Sequence, residues 1–312
     1  MVDALDASRE PKRPRRYGEV VPAGDGWEQL RRGINLPIAA DLEAPELVEV
    51  DLPVPRPAPV IDLQAAVERA VSARFADAGI AGLSVAVGAG SRGLTGRVET
   101  LRGAVRGLRS LGAQPFVVPA MGSHAGGTAA GQRDLLATLG VDESSIDCEI
   151  RASMRTVEVA RGVDGTRIFL DEHAASADRI FPVNRVKPHT CFKGVIESGL
   201  TKMAVVGFGK QPGAAQIHSC GPARMGERLL AGIDALRSTG RLLGGVATVE
   251  SCAGDVVRVA ALDADEIGSD VERELTDFAR ELIPRLPFRD RSEEHTSELQ
   301  SRQYLVCRLL LE

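Results

Sequence analysis

Three short apolar runs, each followed by a helix-period stretch or a Gly-rich loop, constrain this chain most. They are LSVAVG from Leu83 to Gly88, PFVVPA from Pro115 to Ala120, and RIFPV from Arg179 to Val183. Runs this short, apolar at consecutive positions, are what a strand needs when both of its faces are covered. Between them the period changes. Leu63, Val67, Ala70, Val71 and Arg74 give a helix with one apolar face, and Val98, Leu101, Val105 and Leu108 repeat at helical spacing. Leu135, Leu136 and Leu139 close another helix, which Gly140 can cap. Met225, Leu229, Ile233 and Leu236 form a further stripe that ends at Gly240. GVATVE and VVRVAAL read as a strand hairpin, and Glu266 to Leu282 as a polar-faced helix. This alternation predicts an α/β fold, with a Rossmann-like, mostly parallel sheet and flanking helices.

The ends read differently. Residues 1–25, which include PKRPRR, read as a solvated leader, and LVEVDLPVPRPAPV reads as a strand running into a Pro-rich linker. The run Arg291–Glu312 has no Gly or Pro in a chain with 33 Gly and 17 Pro. It resembles translated sequencing-adapter read-through, so residues 289–312 are expected to be a non-native tail. The alternative is an amphipathic helix in LVCRLLLE. One α/β domain is expected over residues 26–288.

Composition excludes some classes. The net charge of −5 and the absence of a long basic block argue against nucleic acid as a partner. No apolar run approaches the roughly 18 residues that a membrane span requires. Cys148, Cys191, Cys220 and Cys252 form no CxxC pair, so a reduced, cytoplasmic compartment is expected.

Three segments carry chemistry. GAGSRG, Gly88–Gly93, follows a predicted strand and precedes a helix, the context of a phosphate loop, and Arg92 adds a fork of donors suited to an anion. No acid ends the next strand, which disfavours a dinucleotide. A purely structural turn is the alternative. PAMGSHAGGT places His124 among glycines at the C-terminal end of the second strand, the edge where open α/β sheets bind ligands. Its alternative role is to cap the following helix. The segment from Asn184 to Cys220 holds His189 and His218, two of the chain's five histidines, with Lys202 between them and Lys193 and Lys210 as other lysines. Imidazole is the usual proton carrier near neutral pH and a common metal ligand. His173 in a polar loop reads as a surface residue, and Glu197 as a solvent-exposed residue at a helix start. Cys191 and Cys220 match no familiar zinc spacing.

GSRG, PAMGSHAGGTAAGQ, RVKPHTCFKG, IESGLTKMAVVGFGKQPGA and His218 after them resemble the nickel-pincer lactate racemase family, and more closely its broader branch of 2-hydroxy-acid racemases and epimerases. The resemblance runs from about Leu47 to Phe288. It implies a lysine-tethered nickel-pincer mononucleotide on Lys202, contacts to it from Gly90, Ser91 and Arg92, and a nickel ligand in His218. It further implies an acid/base pair in His124 and His189, and a substrate-carboxylate contact in Arg92. Enzymes that build the cofactor are implied as partners. Lactate racemases proper carry an Asp three residues before that arginine. Ala89 stands there in this chain, which points to a different hydroxy acid. The family's second α/β domain would follow LPFRD, where this chain has the atypical run. Two other readings remain open at this stage. One is a pyridoxal-phosphate enzyme using Lys202 as its Schiff-base lysine. The other is a truncated module that binds a nucleotide or metal without turnover.

Overall fold

The computed structural model describes residues 54–91, 93–189 and 194–284. The expected leader, the strand at 47–51, Arg92, Cys191, Lys193 and the atypical C-terminal run lie outside these residues. The linker from residue 54 to Val60 is extended coil, tied down where the Val60 N–H donates to the Val256 carbonyl at 2.8 Å.

The first elements are α1 (Leu63–Arg74), β1 (Ser84–Ala89), α2 (Arg97–Ser110), β2 (Gln114–Pro119), α3 (Ala129–Thr138) and the single turn α4 (Glu143–Ile146). An antiparallel pair follows, β3 (Thr156–Arg161) and β4 (Arg167–Asp171), then α5 (Glu172–Ser176) and β5 (Arg179–Arg185). Next come α6 (Leu200–Lys202), a π-helical segment (Met203–Gly207), α7 (Lys210–His218) and α8 (Met225–Ser238). β6 (Gly244–Glu250), β7 (Val256–Asp263) and α9 (Asp270–Glu281) close the described chain.

The main sheet has the order β2-β1-β5-β6-β7. β1 pairs in parallel with β2 on one side and β5 on the other, with Val87 opposite both Val117 and Phe181. β5 and β6 are also parallel, and β7 returns antiparallel to β6 as the expected hairpin. The sheet is therefore mostly parallel and flanked by helices, as the alternation required. Side chains alternate across it. Val85, Val87, Val117 and Phe181 pack with Val67, Val71, Leu101, Val105 and Leu108 of α1 and α2. Ala86, Val118, Ile180 and Ala247 face Phe208, Leu229, Ile233 and Leu236 on the other side. Among the described residues, no helix is long and apolar enough to cross a membrane.

The structure corrects several details. β3 and β4 have no counterpart in the sequence reading. β3 alternates weakly and leaves Val157 46% exposed, so its pattern gives no clean period. The last helix begins at Asp270 rather than Glu266, because Gly268 takes a φ of +85° and Ser269 caps the helix, its Oγ accepting from the Val271 N–H at 3.1 Å. The GAGSRG loop is not a tight strand-to-helix turn. Gly88 lies inside β1, where a Cβ would sit 2.6 Å from the Phe208 ring, and α2 starts only at Arg97. The first glycine of that motif therefore serves packing.

β1 leads to β2 on one side, while the later strand β5 docks on the other. The C-terminal ends of β1 and β5 thus flank a topological switch point, where such sheets open a crevice.

Candidate active site

At that edge lies a cavity of about 350 Å³, within the range of cofactor pockets. β1 and its loop contribute Gly90, Ser91 and Gly93, and the loop after β2 contributes Ala120 to His124. β5 and its loop bring Asn184, Arg185, Lys187, Pro188 and His189. The remaining wall is Ser198, Gly199, Lys202, Met203, Val206, Gly207, Ala214 and His218. Gly90, Ser91, His124, His189, Lys202 and His218 thus converge from separated segments on one space. Arg92 lies outside the described residues. The described lining includes three basic side chains and three histidines but no Asp or Glu, so the cavity suits an anionic ligand.

Lys202 is the last residue of α6, a single turn that starts after Gly199. The buried Glu272 of α9 holds that start. Its carboxylate accepts from the Leu200 and Thr201 N–H groups at 2.7 and 3.1 Å and from Thr201 Oγ1 at 2.6 Å. It accepts from the Gly268 N–H as well, at 2.8 Å. Burial pushes the Glu272 carboxyl upward, against these donors. Gly199 has a φ of +119°, and a Cβ there would meet Glu272 Oε1 at 2.5 Å. Beyond Lys202 the helix widens, and the Phe208 N–H donates to the Met203 carbonyl, five residues back, at 3.0 Å. Such π segments recur at functional sites.

His218 ends α7, and its Nδ1 lies 2.7 Å from the Ala214 carbonyl oxygen. A carbonyl only accepts, so Nδ1 carries a proton, and the tautomer this selects leaves the lone pair on Nε2. That is the tautomer a metal-binding imidazole needs.

His124 opens a short 3₁₀ turn (Ala125–Gly127), and its Nδ1 is hydrogen-bonded to Ser91 Oγ, which joins the loops after β1 and β2. It does not cap the next helix. Thr128 does that, its Oγ1 accepting from the Gly131 N–H at 3.0 Å.

The His189 N–H donates to Glu197 Oε2 at 2.8 Å. Glu197 is not the exposed helix-start residue expected from sequence. Its side chain is 2% exposed, and its Oε1 accepts from the Gly194 N–H at 3.3 Å and pairs with Arg280 Nη2 of α9 at 3.1 Å. It braces the His189 loop.

Below the mouth, Arg185 pairs with Glu250, which also accepts from the Thr95 N–H at 2.8 Å. The buried Arg97 donates to the Gly90 carbonyl. Burial pushes its guanidinium down to about 10, with Arg185 acting the same way and Glu250 opposing. It stays protonated at neutral pH.

The other sequence candidates lie elsewhere. Lys210 is fully buried and does not line the cavity. His173 sits half-buried on α5. Cys220 is half-buried with its thiol against the Ile217 carbonyl at 3.0 Å, and no group of three or more His, Cys, Asp or Glu among the described residues could hold a metal ion. Sequence reasoning missed Asn184, Lys187 and Ser198. Asn184 Nδ2 donates to the Gly199 carbonyl at 2.9 Å, and Ser198 Oγ accepts from the Lys187 N–H at 3.1 Å, so these residues fasten the β5 loop to the start of α6. For Asn184 and Lys187 the position just past a predicted strand end was the available signal, and Ser198 carried none.

No protein-family model matches the chain, and no curated protein does. Solved structures match its fold. The lactate racemase apoprotein from Thermoanaerobacterium thermosaccharolyticum aligns at a TM-score of 0.53 and 16% identity, covering 72% of this chain and 57% of its own. A Thermotoga maritima protein from a structural-genomics programme aligns at 0.50 and 12% identity, covering 70% and 59%. This chain therefore spans less than two thirds of either neighbour. The likeness establishes a lactate-racemase-like α/β fold.

Proposed function

We propose that this chain is the cofactor-bearing part of a 2-hydroxy-acid racemase or epimerase. The observation that carries the reading is the meeting of His124, His189, Lys202 and His218 around one basic cavity at the carboxyl edge of the sheet. The fold it shares with a lactate racemase apoprotein supports the same class.

The residues present fit a nickel-pincer mononucleotide. The cavity has the volume of a cofactor site, and its described lining carries no acidic side chain, which suits a phosphorylated group. Lys202 offers an amine for the tether. His218 has its Nδ1–H committed to Ala214, leaving Nε2 for nickel. Gly90 and Ser91 would contact the group beside β1, with Arg92 expected next to them. When bound, the group supplies a reversible acceptor for the hydride on C2 of the substrate.

The chain's own residues do the rest. Inverting a carbinol centre through its keto acid requires a proton acceptor at the hydroxyl on each face, and two histidines meet that need. One histidine, neutral, takes the hydroxyl proton. The other, protonated, returns a proton to the opposite face. Ser91 orients His124 through Nδ1, and Glu197 fixes the backbone of His189. Arg92 and Lys187 would supply positive charge for the substrate carboxylate, while Arg185 is committed to Glu250. Ala89, where lactate racemases carry an acid, is buried at the end of β1, which favours a hydroxy acid other than lactate.

A chiral assay over a panel of 2-hydroxy acids, with protein co-expressed with pincer-building enzymes, tests the reading. Interconversion of one enantiomer pair that requires nickel is expected. A yellow, nickel-free protein with an aldehyde adduct on Lys202 would replace the reading with pyridoxal chemistry.

A further inference from the structure

Lys210 is a buried cation that the reaction above leaves without a role. It is fully buried, at a φ of +51°, a backbone conformation that costs a lysine about 1–3 kcal/mol. Its Nζ donates to the Pro119 carbonyl at the end of β2 and to Gln132 Oε1 of α3 at 2.8 Å. Asp171 Oδ2 lies 3.2 Å away and has no other partner. Burial lowers the Lys210 ammonium, and Asp171 opposes that shift. Three acceptors surround a group that has three N–H donors only when charged. A neutral amine would turn its lone pair on one of them.

The consequence falls on Gln132, which is also fully buried. An ammonium cannot accept, so the amide must present Oε1 to Lys210. Its Nε2 then points the other way, donating to the Gly122 carbonyl at 2.9 Å and more weakly to the His124 carbonyl at 3.4 Å. These two carbonyls flank the turn that carries the His124 ring to Ser91.

We propose that Lys210 is a positioning residue for His124, acting through the amide of Gln132. This rests on the reading of His124 as an acid/base group, but its structural part does not. The discriminating variant is Gln132→Glu. It keeps an acceptor for Lys210 but replaces the donor facing Gly122 and His124 with an oxygen. A second variant, Lys210→Met with Asp171→Asn, removes both buried charges together and keeps an Oδ1 acceptor for the His173 N–H that Asp171 caps.

The readout is the ring titration of each histidine in the unloaded protein, followed by ¹⁵N-resolved NMR. In both variants the His124 resonances and midpoint should move, by about half a pH unit or more, while those of His218 stay. In loaded protein kcat should fall about 10-fold to 100-fold with KM little changed. A folded Gln132→Glu protein whose His124 titration matches wild type would overturn the proposal. If His124 moves but no hydroxy acid is racemised by the wild type, the positioning stands and the reaction assignment fails.

Discussion

One hydrogen bond, from His218 Nδ1–H to a carbonyl one turn back, decides which imidazole nitrogen is left for a metal. Residue identities of this kind were visible in the sequence, because histidines are few, His124 and His189 follow predicted strands, and His218 closes the same Gly-rich segment as His189. The side chains that hold them were not. Glu197 reads as an ordinary surface acid until the chain brings Arg280 back against it, 83 residues later. His124→Gln and His189→Gln should each lower racemisation about 10²–10⁴-fold without loss of nickel, as read by chiral chromatography beside metal analysis. Full activity in either variant removes that residue from the acid/base pair. Cys148 is a second case. Burial pushes its thiol up to about 11, and it donates to the Pro115 carbonyl at 3.3 Å. At pH 8 almost none is thiolate, so iodoacetamide should leave Cys148 unlabelled in folded protein and label it after denaturation.

Among the elements, the short helix that carries Lys202 depends on a clamp from α9. The sequence shows α9 as a polar-faced helix but cannot show that Glu272 turns inward, since its donors lie about 70 positions earlier. The strands were legible because consecutive apolar residues admit few other structures. The α6–π–α7 stretch was not, because its Gly-rich pattern carries no period. Gly199→Ala should destabilise the fold by about 2 kcal/mol or more, from backbone strain and the approach to Glu272, and shift the urea midpoint accordingly. Glu272 adds a pH dependence. Its folded pKa lies above the ordinary 4.5, so its contribution is complete below that value and declines as pH rises through the folded pKa. Denaturation of wild type and Glu272→Gln across pH 4–8 should therefore show the wild type losing ground as pH rises. A constant difference would contradict the burial effect.

Across the whole molecule, a mostly parallel sheet reversing its winding between β1 and β5 gathers three loops at one edge and brings Lys187, Lys202 and three histidines to it. The sequence alternation predicted the sheet, and the positions of His124 and His189 after predicted strands put their loops on one edge. It could not supply the cavity's lining of Asn184, Lys187 and Ser198, which follows from how β5 and α6 are tied together. We propose that this edge holds a lysine-tethered nickel cofactor. The most direct measurement is the mass of the Lys202 peptide, with nickel content, from protein co-expressed with pincer-building enzymes. A mass adduct on Lys202 with bound nickel, and nickel lost in His218→Ala, is the predicted result. An unmodified Lys202 and no nickel in folded protein would contradict it.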